Sequence, residues 1–456
     1  MLYKKHRINI SIFCKVVYLA VILVMLSGCD SNFMLPEELI EKPVLDDREK
    51  AIKELVTPLL TNYQLILPNN IDKSGAINFV ELTGDDTEEM VIIYEDKDRV
   101  NSISVKAFKE TEEGYWQTLD SIKSEEKELF EISFSDLNND GKSEVIIQWN
   151  DGEKNKKLVE IYAFRGKEFK KVLGEKFLNL NLIDLDDDGT EDLILFNYDG
   201  DKSLLSISLY QFNGNEVVKV NDININSKDK SEKGYMNLAV GNVTETKKGM
   251  LIDISGEDLS GYTAVIVKQN GKLMNIYENS DLHEVGKKSL LNSKDIDDDG
   301  ILEMGVLTPQ VYEGYDSEYE TPLIQKWYQW DGYKDVIFEK DIFYDHSLKY
   351  SFEIPHQWKD KYIVDTFYGD LENYAYFYES AGYPMEEREM MRVCIIKNQK
   401  WSSYKEELEA SSRGYIYLGQ NNDYTYIAMR NEVEVGYDKE MIINDDIVKR
   451  MFNKFN

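Results

Sequence analysis

The sequence predicts a mainly β protein: a β-propeller with at least five visible four-stranded repeats, followed by a small α+β domain. Three observations favour this fold class. An acidic loop recurs along the chain, a glycine-centred turn follows each loop, and short apolar strands alternate with both. The first positions of the loops are 48 to 58 residues apart. Four short strands in such a repeat are typical of one propeller blade, which buries its two faces only by stacking on other blades.

The acidic loop has three close copies, each with Asp or Asn at relative positions 1, 3 and 5, glycine at 6 and an acid at 9. They are loop 2 (Asp136–Glu144), loop 3 (Asp184–Asp192) and loop 5 (Asp295–Glu303). Two degenerate copies are loop 1, which begins at Glu81, and loop 4, which begins at Asn242. In loop 1, Asp86 replaces the glycine, and in loop 4, Thr246 and Met250 remove two acids. We expect loops 1 and 4 to hold no ion.

The glycine turns are a second, independent marker of the repeat. They lie 33, 30, 30, 29 and 37 residues after the first positions of loops 1 to 5, at Gly114, Gly166, Gly214, Gly271 and Gly332. Glycine is the residue that tight hairpin turns favour, because it adopts positive φ angles without a steric cost. Each repeat is therefore predicted to run strand, acidic loop, strand, strand, glycine turn, strand.

The spacing of acids in the close copies predicts a calcium site. Oxygens at positions 1, 3 and 5 of a tight turn converge, and a carbonyl at 7 and a carboxylate at 9 complete an oxygen cage for Ca²⁺. The predicted side-chain ligands are Asp136, Asn138, Asp140 and Glu144; Asp184, Asp186, Asp188 and Asp192; and Asp295, Asp297, Asp299 and Glu303, with carbonyls from Lys142, Thr190 and Ile301. An EF-hand is excluded because position 12 is apolar and strands flank the loops. The alternative is a set of acidic turns without metal.

At these residues the sequence resembles the FG-GAP/VCBS repeats of integrin-α-like β-propellers, over roughly residues 75 to 345. The resemblance is specific in loops 2, 3 and 5 and weak in loops 1 and 4. It implies that calcium ions are held between strands on one face of the propeller. The role that it implies for these ions is structural.

The N-terminus predicts export and a lipid anchor. Basic residues precede an apolar run, Val16 to Leu26, that is too short to span a membrane and is typical of a signal peptide. The motif Leu26-Ser27-Gly28-Cys29 resembles the lipobox of bacterial lipoproteins. This implies that residues 1–28 are removed, that Cys29 is lipidated and that residues 29–45 form a tether on the extracytoplasmic face of the cell membrane. The alternative is an uncleaved anchor in which Cys29 is a free thiol.

Composition narrows the classes of partner. The chain has 53 Lys and Arg against 85 Asp and Glu, a net charge of −32, which disfavours binding to nucleic acid. Its 42% hydrophobic and 12% aromatic residues exclude a disordered acidic tail. Once Cys14 leaves with the signal peptide and Cys29 is acylated, only Cys394 remains. We therefore expect no intrachain disulfide.

The predicted domains beyond the tether are a propeller with an N-terminal helix at 46–345 and an α+β domain at 346–456. Residues Tyr63 to Leu67 are predicted to form a strand that closes the ring against the last blade. In the C-terminal domain, Trp401 to Ala410 and Asp438 to Phe455 are predicted helices.

Sequence motifs of catalysis are absent. Three histidines lie beyond the signal peptide, and none sits in HExxH or beside a nucleophile motif. We therefore expect a non-catalytic binding or scaffold module with a protein or glycan partner. The alternatives are a propeller enzyme, a hydrolase or lyase, acting on cell-envelope polysaccharide, and a solute-capturing lipoprotein of a transporter, although no two-lobed α/β pattern is visible. The acidic insertion Pro309 to Pro322 is the predicted partner-binding loop.

Overall fold

The structure is a computed structural model. It describes residues 47–71, 73–99, 102–124, 128–150, 152, 156–227, 232–255, 261–277, 291–310, 322–380, 388–430 and 441–455. The predicted signal peptide and tether (1–45) and most of the predicted partner-binding loop, with Tyr312, Tyr315 and Tyr319, lie outside these ranges. Within them the α-helices are α1 (Asp47–Leu59), α2 (Asn398–Ala410) and α3 (Asp445–Met451). None of the described helices has the length and apolarity needed to cross a membrane.

The chain divides into two compact units. The described residues of the first are α1, which carries Pro58 in its last turn, and Thr111–Trp116. The second unit is Leu60–Glu110 with Gln117–Asn456, and it contains all of the acidic loops.

Four antiparallel sheets follow one another along the chain. Sheet 1 has β1 (Tyr63–Leu65), β2 (Ile77–Val80), β3 (Glu89–Asp96), β4 (Ile103–Glu110) and β5 (Trp116–Ser124). Sheet 2 has β6 (Glu128–Ser135), β7 (Glu144–Asn150), β8 (Lys157–Arg165) and β9 (Glu168–Phe177). Sheet 3 has β10 (Asn179–Ile183), β11 (Asp192–Asp199), β12 (Leu204–Asn213) and β13 (Glu216–Asn226). Sheet 4 has β14 (Asn237–Thr244), β15 (Lys247–Ser255), β16 (Gly261–Gln269) and β17 (Lys272–Asn275).

Two five-stranded sheets complete the described fold. Sheet 5 has β18 (Met304–Pro309), β19 (Leu323–Trp330), β20 (Val336–Asp345), β21 (Tyr350–Ile354) and β27 (Phe452–Lys454). Sheet 6 has β22 (Tyr362–Tyr368), β23 (Glu372–Glu379), β24 (Arg388–Lys397), β25 (Ile416–Gln420) and β26 (Tyr424–Arg430).

The repeat has the predicted internal order. In sheets 2, 3 and 4 the strands are neighbours in chain order, with the glycine turn before the fourth strand. The acidic loop follows the first strand in sheets 2 and 3, whereas in sheet 4 the predicted loop 4 is replaced by a tight hairpin that pairs Thr244 with Lys247. The five predicted turn glycines all have positive φ angles, between 64° and 81°. Among the described residues, the first strand of sheet 5 is represented by one bridge, between Lys294 and Glu303.

Successive sheets pack face to face through separate apolar cores. Alternate residues of β7 show this most simply, because Val145 and Ile147 pack between sheets 1 and 2 while Ile146 packs between sheets 2 and 3. Similar cores join sheets 3 and 4, 4 and 5, and 5 and 6. A strand that buries both faces contains consecutive apolar residues, as the second strand of each repeat does. The predicted fold class, a mainly β propeller followed by an α+β region, is confirmed.

The C-terminal region differs from the prediction at its edges. Tyr350–Ile354 pairs with β20 and Phe452–Lys454 pairs with β21, so both strands belong to sheet 5. Tyr350 and Phe352 are buried in the core that sheets 5 and 6 share, and this burial explains why the predicted boundary after residue 345 does not separate the sheets. The predicted helix to Phe455 ends at Met451 because the next residues extend sheet 5. Asn444 caps this helix by accepting from the Ile447 N–H.

The predicted ring closure by Tyr63 to Leu67 is wrong. β1 pairs with β3 of its own sheet, with Tyr63 opposite Asp96. The four residues of β2 pair only with the first half of β3, from Glu89 to Ile92, so the second half offers a free edge that β1 occupies. On sheet 6, residues of α2 pack over Cys394 and Ile396.

Candidate metal centres

Loops 2, 3 and 5 share one backbone path, which the first aspartate organises. In each loop the N–H of the sixth-position glycine donates to this aspartate, at 2.8 to 2.9 Å. The fourth residue adopts a left-handed conformation, with φ of 57° at Asn139, 55° at Asp187 and 61° at Asp298. Asn and Asp tolerate this conformation best among residues with a side chain. Short polar residues at this position therefore allow the loop to close on itself.

The ninth-position carboxylate is buried at the start of the following strand in every one of these loops. Glu144, Asp192 and Glu303 are at most 2% exposed. Each accepts the backbone N–H of the second loop residue, from Leu137 at 3.0 Å, Leu185 at 3.2 Å and Ile296 at 2.8 Å. This hydrogen bond fixes one carboxylate oxygen and leaves the other directed towards the loop.

The structure brings the predicted ligands of loops 3 and 5 together. Asp184, Asp186 and Asp188 each offer one oxygen, and these oxygens lie within 4.8 Å of one another. The same holds for Asp295, Asp297 and Asp299. Among the described residues, the carboxylates of loop 2 do not form such a cluster. Its residues are linked by hydrogen bonds instead, because Asn138 Nδ2 donates to Glu144 Oε1 at 3.3 Å and the Asp140 backbone N–H donates to Asp136 Oδ1 at 3.1 Å.

Loop 1 is a third cluster of acids that the sequence analysis missed. Oxygens of Glu81, Asp85 and Glu89 lie within 4.8 Å of one another. The left-handed positions are again the fourth and the sixth, here Gly84 and Asp86. The signal in the sequence was the preserved acid at positions 1, 5 and 9, with glycine moved from position 6 to position 4.

The loops differ in the residue that lies beside the ninth-position carboxylate on the neighbouring strand. The tenth residue of each loop pairs with an aromatic residue on that strand, in the pairs Met90↔Phe108, Val145↔Tyr162, Leu193↔Tyr210 and Met304↔Tyr328. The position in question is the residue directly after this aromatic residue. Its occupants in loops 1, 2, 3 and 5 are Lys109, Ala163, Gln211 and Gln329. Three of these side chains bond to the carboxylate, whereas the methyl group of Ala163 offers loop 2 no donor.

Loop 2 consequently contains a buried acid without a cationic partner. Glu144 accepts only from the Leu137 N–H and from Asn138 among the described residues, and no ammonium or guanidinium of that part of the chain forms an ion pair with it. Burial raises the pKa of Glu144, the Leu137 N–H and the Arg165 guanidinium lower it, and the Asp140 and Asp136 carboxylates raise it, so that the pKa is about 7. Such a site favours any cation that neutralises the cluster.

Loop 5 is partly neutralised. Gln329 Nε2 donates to Glu303 at 2.8 Å and to Asp299 at 3.3 Å, and Lys340 Nζ lies 2.6 Å from Asp297. Burial raises the pKa of Glu303 to about 7. Among the acids of loop 5, Lys340 forms an ion pair with Asp297 alone, and Asp295, Asp299 and Glu303 have no ion-pair partner among the described lysines and arginines.

Loop 3 contains a lysine from the next sheet. Lys268 Nζ lies 2.8 Å from Asp186, 2.8 Å from Asp192 and 3.8 Å from Asp188. The side chain of Lys268 is 2% exposed. Burial lowers the pKa of Lys268, but its hydrogen bonds to Asp186 and Asp192 outweigh this effect and raise the pKa above its ordinary value. Burial has the opposite effect on the acid: it raises the pKa of Asp192, while the hydrogen bond from Lys268 lowers it.

Among the described residues, the cysteine is buried, and the two histidines are exposed beside aromatic rings. Cys394 is buried, and burial raises the pKa of its thiol to about 12. His346 stacks on Tyr344, and His356 lies against Phe338. Of the aromatic residues in the fifth repeat, Trp327 and Trp330 are buried and Tyr333 is exposed.

Two β-structured proteins are among the solved structures that this chain matches. No family model matches the chain, and no curated protein does. The first structure is the exotype rhamnogalacturonan lyase YesX, with a TM-score of 0.24 and 10% identity, over 69% of this chain and 64% of the lyase chain. The second is the β-propeller domain of the Trilobed protease from Pyrococcus furiosus, which has an open velcro topology. Its TM-score is 0.26 at 10% identity, over 70% of this chain and 84% of that domain.

Proposed function

We propose that the protein is a lipid-anchored extracytoplasmic β-propeller that Ca²⁺ stabilises and that acts as a non-catalytic binding or scaffold module. One observation carries the calcium assignment: the Glu144 carboxylate of loop 2 is buried near the Asp136 and Asp140 carboxylates, and no lysine or arginine among the described residues forms an ion pair with it. Burying a charge without a partner of opposite sign costs free energy, so a bound cation would stabilise the folded loop.

The donor set fits calcium better than a transition metal. Loops 2 and 5 offer carboxylates, one amide oxygen and backbone carbonyls, which are the hard oxygen ligands that Ca²⁺ prefers. In loop 2 the ion would be held by Asp136, Asn138, Asp140 and Glu144 with the Lys142 carbonyl. Bound there, calcium would neutralise the acids and tie the loop to β7. The resemblance of the loops to FG-GAP/VCBS repeats supports the same role.

The proposal of a non-catalytic module is supported by the lack of a catalytic sequence motif around the histidines and by the burial of Cys394. The described histidines contact aromatic rings, and Cys394 is buried with its thiol held neutral. The extracytoplasmic anchor rests on the lipobox-like motif that ends at Cys29. A protein tethered there would present the propeller to a protein or glycan partner.

Calorimetric titration of the full-length protein with calcium tests the metal assignment. We expect saturable binding in the wild type and one site fewer in Asp136→Ala/Asp140→Ala. The control is Glu168→Gln, an exposed acid that pairs with Lys170 outside the loops. Absence of calcium binding in the wild type would overturn the assignment.

A further inference from the structure

We propose that the ammonium of Lys268 is the resident cation of loop 3, so that loop 3 binds no calcium and the metal is held by loops 2 and 5. The second half of this inference rests on the proposed function. The assignment of Lys268 as the cation of loop 3 rests only on the distances between its ammonium and the acids of that loop.

The position of the ammonium carries the argument. Lys268 Nζ reaches acids at loop positions 3, 5 and 9, namely Asp186, Asp188 and Asp192. These are three of the four side chains predicted to ligate calcium in loop 3. Two of its three N–H groups have acceptors at 2.8 Å, which is close to the ideal length for a charge-assisted hydrogen bond. An ion at this place would have to displace the ammonium.

Displacement would be unfavourable because the side chain of Lys268 is almost completely buried. Its side chain is 2% exposed, and its backbone is held in the sheet by the pairing of Lys268 with Leu273. Removing one partner of a buried ion pair leaves the other charge uncompensated, which costs more than the pair itself contributes. Calcium would therefore compete against a cation already covalently attached to the fold.

Loop 1 shows a similar arrangement built from a different strand. Lys109 comes from β4 of the same sheet, pairs with Asp85, lies 3.3 Å from Glu89 and donates to Thr83 at 2.9 Å. Lysines thus reach acids of loops 1, 3 and 5, from the same sheet in loops 1 and 5 and from the next sheet in loop 3. Lys340 contacts a single acid of loop 5, whereas Lys268 contacts three acids of loop 3. In loop 2 the corresponding neighbour is Ala163, and the carboxylates keep no such partner.

Calcium titration of three full-length proteins tests the inference: wild type, Lys268→Met and the control Lys272→Met, which alters an exposed lysine on β17. We expect two calcium ions in the wild type and in Lys272→Met, and three in Lys268→Met, because the freed acids of loop 3 then need a cation. Lys268→Met should also unfold at least about 5 °C lower than wild type in chelator and recover in calcium.

A wild type that binds three ions, or a Lys268→Met protein that gains none, would overturn the inference. If Lys268→Met does not fold, Asp188→Asn decides, since half-exposed Asp188 tolerates substitution. The wild-type stoichiometry should survive this change, and loss of one ion would contradict the inference. If the wild type binds no calcium at all, the proposed function fails, but a site gained in Lys268→Met would still support the resident lysine.

Discussion

The backbone N–H of Leu137 donates to Oε2 of Glu144 at 3.0 Å and joins the second residue of loop 2 to the strand that follows the loop. The corresponding hydrogen bond is present in loops 1, 3 and 5. It anchors a buried carboxylate at the same place in four repeats, including the degenerate loop 1. The side chain that faces this carboxylate from the neighbouring strand differs between loops: it is a lysine in loop 1, an alanine in loop 2 and a glutamine in loops 3 and 5.

Glu144→Gln should reduce the calcium-dependent part of the stability. The amide keeps the size of the side chain but removes the charge that calcium would neutralise. At calcium concentrations of about 100 times Kd, one site contributes about 2.7 kcal/mol, so the variant should lose up to about that amount in calcium. In chelator it should be at least as stable as wild type, because a buried charge is gone. Denaturant unfolding in both buffers measures this, with Glu168→Gln as control, and equal losses in both would contradict it.

Ala163→Lys should convert loop 2 into a lysine-filled loop. Lys109 occupies the corresponding place beside loop 1, where it contacts Asp85 and Glu89. The variant should bind one calcium ion fewer than wild type and lose less stability in chelator. Ala163→Met adds similar bulk to this buried site without the charge, and it should keep the wild-type stoichiometry. Calorimetry measures both, and an unchanged ion count in Ala163→Lys would refute the prediction.

Cys29→Ser should release the protein from the membrane, because the acylated thiol is the predicted anchor. Cys14→Ser is the matched control, since Cys14 lies in the segment predicted to be removed. Fractionation of cells expressing each variant measures the distribution between membrane and soluble fractions. Retention of Cys29→Ser in the membrane with an unprocessed N-terminus would favour an uncleaved anchor instead.

Asp341→Asn should change the pH dependence of stability. Asp341 is 1% exposed, its Oδ1 has no hydrogen-bond partner, and its Oδ2 accepts from the Tyr362 hydroxyl at 2.8 Å. Burial raises the pKa of Asp341, whereas Lys326 and the Tyr362 hydrogen bond lower it and the nearby Asp360 raises it. A raised carboxyl pKa means that the folded state binds more protons, so stability falls as pH rises from the unfolded pKa of about 3.9 through the folded value.

Asp341→Asn removes that loss and should stabilise the protein at pH 7 by on the order of 1 kcal/mol. The gain should shrink towards pH 4. Unfolding midpoints measured across this range, with the exposed Glu406→Gln on α2 as control, test the sign. A variant that is destabilised equally at every pH would contradict it.

Repetition made the propeller predictable, because loops and glycine turns recur at one phase and require the same backbone path. Features that depend on neighbouring strands were not predictable from the repeat alone. Ala163 lies 19 residues after Glu144 and offers it no donor, whereas Lys268 lies 76 residues after Asp192 and donates to it. Only strand pairing and sheet packing bring such distant positions together. The strand Phe452–Lys454 was also not predictable, because its residues continue the apolar pattern of the preceding helix although they pair with the edge of β21.

Thermal unfolding of the full-length protein in about 1 mM Ca²⁺ and in chelator tests the central claim most directly. We expect a higher midpoint in calcium and a smaller difference in Asp136→Ala/Asp140→Ala. Superimposable curves for the wild type in the two buffers would show that the acidic loops are metal-free turns, and would contradict the account of a calcium-stabilised propeller.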